Sequence, residues 1–160
     1  MKIGHAGFAK DKYLLLSKLG SEFDLSFSSH LVLGDKLIAL DGKRKTLLIC
    51  EPNDEWNRPS IIQLDKLAAV FVKKSYGSIR SGELKHKGFE EFLKAIDLQF
   101  EYIDNEHSVV LNFYDSETNL SRELPALERN AKNWQLILST MIPSRHDKTV
   151  EGNGTLSSVE

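Results

Sequence analysis

The chain is predicted to be an α+β domain. Its core is an antiparallel β-sheet or partly open barrel of about seven strands, with an N-terminal helix and a C-terminal capping helix. Three observations carry this. Two apolar runs, Leu37–Leu40 and Leu47–Cys50, flank a polar tip that begins Asp41-Gly42, which is a β-hairpin signal. Further along, Ile96, Leu98, Phe100 and Tyr102 alternate with Asp97, Gln99 and Glu101, the period-two pattern of a half-buried strand. Near the end, Leu127, Ala131, Trp134, Leu138 and Met141 recur at spacings of four and three, an apolar stripe on one side of a helix.

Residues 8–23 read as a short helix. Phe8, Lys12, Leu15, Leu16 and Leu19 fall near one face, and Gly20 is the expected stop. Packing on the domain is the expectation, with a membrane-surface helix as the alternative. Leu25, Phe27, Leu31 and Leu33 sit at odd positions and predict a strand over 25–33. In the hairpin, 36–41 and 46–51, Asp-Gly is expected to supply the positive φ of the turn. Both faces of both strands are apolar, so something must cover the outer one: the N-terminal helix, or a second copy of the chain in a homodimer.

Residues 52–59 hold two prolines and two asparagines and read as a loop, with Trp56 expected to fold back on the core edge. Strands follow at 60–64 and 67–74, then a Gly/Ser-rich loop over 75–87. Residues 88–95 read either as a helical turn or as an extended approach to the next strand. Strands at 96–103 and 108–114 form a second hairpin around Asp104-Asn105-Glu106. Pro125 suits the first turn of the last helix, and Pro143 marks its end. The domain plan is therefore a helical segment at 1–24, the β domain with its helix at 25–142, and a disordered tail at 143–160, which is poor in large apolar residues.

The chain has 160 residues, 41% hydrophobic and 28% charged, the balance of a soluble globular domain. Its net charge is −2 and its pI about 6.2, which argues against a generic nucleic-acid binder. Cys50 is the single cysteine, so no internal disulfide can form. With no signal peptide and no apolar run of spanning length, the expected location is the cytoplasm.

Seven strands followed by a helix with tryptophan in its stripe resemble the pleckstrin-homology-like barrel superfold over residues 25–142. The resemblance implies two bent antiparallel sheets capped at one end by the last helix, with Trp134 buried beneath it. The Leu-Asp-Gly turn and the Lys-Lys-Ser-Tyr-Gly-Ser stretch also resemble those of small bacterial proteins, a likeness that implies no activity. The N-terminal helix and residues 88–95 are extra to the superfold. A plain antiparallel sheet with helices on one face is the alternative architecture.

Two basic clusters are candidate binding residues: Lys43, Arg44 and Lys45 at the hairpin tip, and Lys73, Lys74, Arg80, Lys85 and Lys87 around the 75–87 loop. In phosphoinositide-binding pleckstrin-homology domains, basic residues on the first strands and their loop hold phosphates. Lys43, Arg44 and Lys45 resemble that arrangement loosely, without the basic pattern running back into the strand. A solvated tip whose charges protect a sheet edge is the plainer account. Tyr76, among Lys73, Lys74 and Arg80, could stack a nucleobase or simply anchor its loop. Between Glu101 and Glu128 seven carboxylates stand against one arginine, a polarised or merely solvated surface.

The five histidines are scattered and Cys50 lies in an apolar run, so no metal, cofactor or catalytic set is expected. Phosphate-loop, dinucleotide and Gly-x-Ser-x-Gly motifs are absent. The expected function is a non-enzymatic binding or scaffolding domain with a protein or peptide partner. Weak binding of an anionic ligand or lipid headgroup through Lys43, Arg44, Lys45, Lys73 and Lys74 is the first alternative. An enzyme with a site converging from distant segments is the second.

Overall fold

The computed structural model describes the backbone of residues 5–51 and 59–143, and side chains from Tyr13 onward. Two compact units divide the chain, Met1–Asp65 and Lys66–Glu160. All seven predicted strands form. They pair as two separate antiparallel sheets, β1-β2-β3-β4 and β5-β6-β7, rather than as one closed barrel. Trp56 and residues 144–160 lie outside the described residues.

The first unit contains α1 (His5–Phe23), β1 (Ser29–Leu33), β2 (Lys36–Asp41), β3 (Thr46–Cys50) and β4 (Ser60–Gln63). The hairpin β2–β3 is its centre. Leu37 stands opposite Cys50 and Ala39 opposite Leu48 on one face; Ile38 opposes Ile49 and Leu40 opposes Leu47 on the other. All eight side chains are buried. The α1 helix covers the first of these faces. Leu15, Leu16, Leu19 and Phe23 pack with Leu37, Leu48 and Cys50, joined by Leu25, Phe27 and Val32. Of the two covers expected for that face, the helix is therefore the one observed.

Two local expectations are corrected. Gly20 does not stop α1, which runs on to Phe23. The stop is Asp24, in the left-handed region at φ 57°, with the Leu25 N–H closing back on the Gly20 carbonyl at 2.9 Å. That is the bond of a Schellman ending, with aspartate where glycine is usual. Gly20 has a different task. A Cβ there would lie 2.9 Å from the Leu25 carbonyl oxygen and 3.7 Å from the Phe27 ring, so the returning chain approaches too closely for any side chain. The first strand also begins at Ser29, not at residue 25. Leu25 and Phe27 are spent on the core beneath α1 instead of on sheet pairing.

The second unit contains β5 (Leu67–Tyr76), β6 (Leu93–Tyr102), β7 (Ser108–Asp115) and α2 (Leu124–Ser139). The segment at 88–95 is half of each alternative: a 3-10 turn at Phe89–Phe92, then strand from Leu93. Ile96, Leu98 and Phe100 are buried on the sheet face shared with Val70 and Leu111, whereas Asp97, Gln99 and Glu101 are half-buried on the reverse. The α2 helix packs on all three strands. A 3-10 turn, Ser121–Glu123, leads into it, capped by the Leu120 N–H donating to the Glu123 carboxylate at 3.1 Å, and Pro125 occupies the first turn of α2 itself. Its stripe buries Ala131, Trp134 and Leu138, with Trp134 only 7% exposed. The terminal helix thus lies across the three-stranded sheet, with its tryptophan inward as expected.

Trp134→Ala removes the largest side chain of this helix–sheet contact. It is expected to cost ~3–5 kcal/mol, read as a lowered denaturation midpoint. Gly20→Ala is a sharper test, because helix propensity alone favours alanine by about 1 kcal/mol. The clash with the Leu25 carbonyl is expected to reverse that sign and destabilise by roughly 1–3 kcal/mol, measured by urea titration.

Candidate functional site

The hairpin tip is built around one buried carboxylate. Asp41 ends β2 and is 2% exposed. Its Oδ1 accepts the N–H groups of Lys43 (3.0 Å) and Arg44 (2.9 Å), and its Oδ2 accepts that of Ser26 (2.8 Å). Burial pushes the carboxyl pKa up. The three N–H donors and the Arg44 charge outweigh this and hold it below the ordinary value of 3.8. Aspartate thus serves here through its oxygens, and the positive φ expected from Asp-Gly falls instead on Lys45, at 52°. Thr46, also buried, donates its hydroxyl to the Arg44 carbonyl at 3.0 Å. Ser28 ties the neighbouring segment in, donating to the Leu40 carbonyl and accepting from the Gly42 N–H, each at 3.2 Å.

This frame leaves Lys43, Arg44 and Lys45 exposed, the first two at a cleft of about 450 Å³ walled by residues 24–28 and 41–44. Arg44 reaches Asp24 at 3.1 Å, an exposed pair. Among the described residues, Lys43 and Lys45 make no ion pair. A second cleft, also about 450 Å³, runs between α1 and the approach to β1. Tyr13, Leu16, Gly20, Leu25, Phe27 and His30 line it with Ser17 and Ser21, and Tyr13 meets His30 edge-to-face at 5.8 Å. Leu25 and Phe27 belong to both clefts, so the two adjoin. The strand they lead into, β1, is an edge of its sheet.

The second basic cluster is not one patch. Lys73 and Lys74 are neighbours in a strand, so their side chains leave opposite faces. Lys73 stands across from Asp97 and is exposed. Lys74 faces α2 and bonds Glu128 at 2.8 Å, with Glu90 at 3.8 Å. The bond to Glu128 raises the Lys74 pKa, and the bonds from Lys74 and Lys132 lower that of Glu128. Tyr76 stacks on Phe89 at 4.3 Å, and its hydroxyl stands 3.5 Å from Glu90, so the ring anchors its own loop. Arg80 is exposed, and its backbone N–H donates to Glu83. Lys43, Arg44 and Lys45 belong to the first unit, and Lys73, Lys74, Tyr76 and Arg80 to the second.

Cys50 is buried under α1, and burial pushes its thiol up to about 11, far from a thiolate at neutral pH. In the turn between β6 and β7, Asp104 Oδ2 lies 2.8 Å from His107 Nδ1, and both groups are open to solvent. The Glu106 N–H, followed by the His107 side chain, holds Asp104 below the ordinary carboxylate value. Among the described residues no cluster of three or more His, Cys, Asp or Glu could hold a metal ion. No described helix is long and apolar enough to cross a membrane.

Sequence reasoning missed Asp41, Ser26 and Ser28 as builders of the tip. The available signal was an aspartate at a hairpin turn, which commonly binds the N–H groups two or three residues on. Asp41→Asn keeps the shape but gives up the charge. It is expected to lower stability by about 1–3 kcal/mol at pH 7, measured by denaturant titration. Because the folded pKa is depressed, the stability owed to this group is complete above its unfolded value of about 4 and lost as pH falls through the folded one. The gap between wild type and Asp41→Asn should therefore narrow as pH drops below about 4.

No family model, curated protein or solved structure matches the chain.

Proposed function

We propose that this chain is a non-enzymatic binding module whose first unit takes up a protein or peptide segment in the groove between α1 and β1. The supporting observation is the groove itself. It is open, floored by Leu16, Leu25 and Phe27, edged by the Tyr13–His30 aromatic pair, and runs into an edge strand. Helix-flanked grooves beside sheet edges suit extended peptides, because side-chain pockets and backbone pairing then act together. The order of four strands, three strands and a terminal helix with buried tryptophan favours the pleckstrin-homology-like assignment, a superfold that hosts many partners and fixes none.

An anionic ligand or lipid headgroup at the hairpin tip is the alternative. Its support is the outward display of Lys43, Arg44 and Lys45 on a turn held by Asp41. Lys74 is a poor member of that set, being engaged with Glu128.

Ser17 is exposed and lines the groove, so Ser17→Arg should obstruct the groove without touching the core. Peptides selected from a random display library on the wild-type chain are expected to lose binding to this variant at least tenfold, read by calorimetry. Peptides that bind both chains equally would place recognition elsewhere. Flotation with anionic vesicles at low and high salt tests the alternative, which requires salt-sensitive binding.

A further inference from the structure

We infer that the occupant of the groove is an acidic peptide segment that carries one large apolar side chain; this rests on the peptide-binding function proposed above. The two clefts of the first unit adjoin through Leu25 and Phe27 but differ in chemistry. One is lined by Tyr13, Leu16, Leu25, Phe27 and His30 with Ser17, Gly20 and Ser21 between them, and its volume of about 450 Å³ has room for a large apolar side chain. The other ends in Lys43 and Arg44, with Lys45 beside them in the turn. An extended segment laid along Leu25 and Phe27 would meet the apolar end first and the cations next.

Charge complementarity selects the polar part of that segment. The two carboxylates at the tip are both engaged, Asp41 with three backbone N–H groups and Asp24 with Arg44. Lys43 and Lys45 form no ion pair among the described residues, so the outward field of the tip is positive. In an extended chain every second side chain, about 6.6 Å apart, points to the same side, so alternate carboxylates can meet Lys43 and Lys45. The cations sit at the rim and stay hydrated, so their contribution should be sensitive to salt and govern selectivity more than tightness.

The test uses the full chain and fluorescein-labelled peptides of about nine residues, read by fluorescence anisotropy. One set carries a tryptophan and a run of glutamates, in both orders. Matched sets replace the tryptophan with alanine, or the glutamates with glutamine or lysine. The acidic tryptophan peptide is expected to bind best. Its affinity should fall about tenfold with Lys43→Glu/Arg44→Glu/Lys45→Glu, and similarly between low salt and about 0.5 M salt. It should also fall with Ser17→Arg and with loss of the tryptophan. If the triple variant does not fold by circular dichroism, Lys43→Gln/Lys45→Gln carries the same comparison. Glutamine peptides that bind as tightly as glutamate ones, still blocked by Ser17→Arg, would overturn the acidic inference and leave the groove function standing. Absence of binding by every peptide would overturn both. Salt-sensitive capture of anionic vesicles in place of any peptide would also overturn both and favour a lipid surface.

Discussion

The hairpin β2–β3 is apolar on both faces, and the organisation of the first unit follows from that. A two-sided strand pair cannot rest one face in water, because four apolar side chains would be exposed along it. One face is closed by α1, and closing it dictates the local details at the end of the helix. The chain must reverse tightly after Phe23 so that Leu25 and Phe27 can return to the same core. Asp24 supplies the reversal, and Gly20 leaves room for the backbone that comes back over it. Glycine in the helix interior costs roughly 0.5–1 kcal/mol relative to alanine. Against that cost stand Leu25 and Phe27, both half-buried against the core under α1.

The same tight return creates the candidate site. Residues 24–28 are drawn beside the hairpin tip and bonded to it through Asp41 and Ser28. A turn held by five short polar contacts of this kind loses little freedom when a ligand arrives, which favours binding by lowering its ordering cost. Cations gather at the tip because turn residues leave the sheet, so consecutive side chains can all reach solvent. Within a strand they cannot. Lys73 and Lys74 are separated by the pleat, and the one that faces α2 becomes part of the helix–sheet contact through Glu128. The adjacent cations Lys43–Lys45 and Lys73–Lys74 thus have different fates, decided by whether they fall in a turn or a strand.

The second unit follows a simpler rule. In β6, buried Ile96, Leu98 and Phe100 alternate with half-buried neighbours, and α2 buries Ala131, Trp134 and Leu138 where it packs on the sheet. The helix follows directly on the 3-10 turn that Glu123 caps, with Pro125 in its first turn and no side-chain cap of its own. Tyr76 and Phe89 stack across the long connection between β5 and β6 and tie it locally.

What the amino-acid sequence determined by itself was whatever depends on neighbours a few positions away. The alternating strands, the two helices and the inward tryptophan follow from periods of two and 3.6 residues, and the central hairpin from two unbroken apolar runs around a polar tip, all local properties of the chain. The need for a cover over the hairpin was equally legible, because both faces of the same short runs are apolar. Tertiary structure alone decided the rest. It divided the strands into sheets of four and three, since hydrogen-bonded pairing joins segments that no local pattern connects. It moved Leu25 and Phe27 from strand to core, made Gly20 a point of close approach, and turned Asp41 from a turn former into a buried anchor. Each of these depends on a partner brought in from a distance in the fold: Ser26 lies 15 residues from Asp41, and Lys74 finds its charge partner on the last helix.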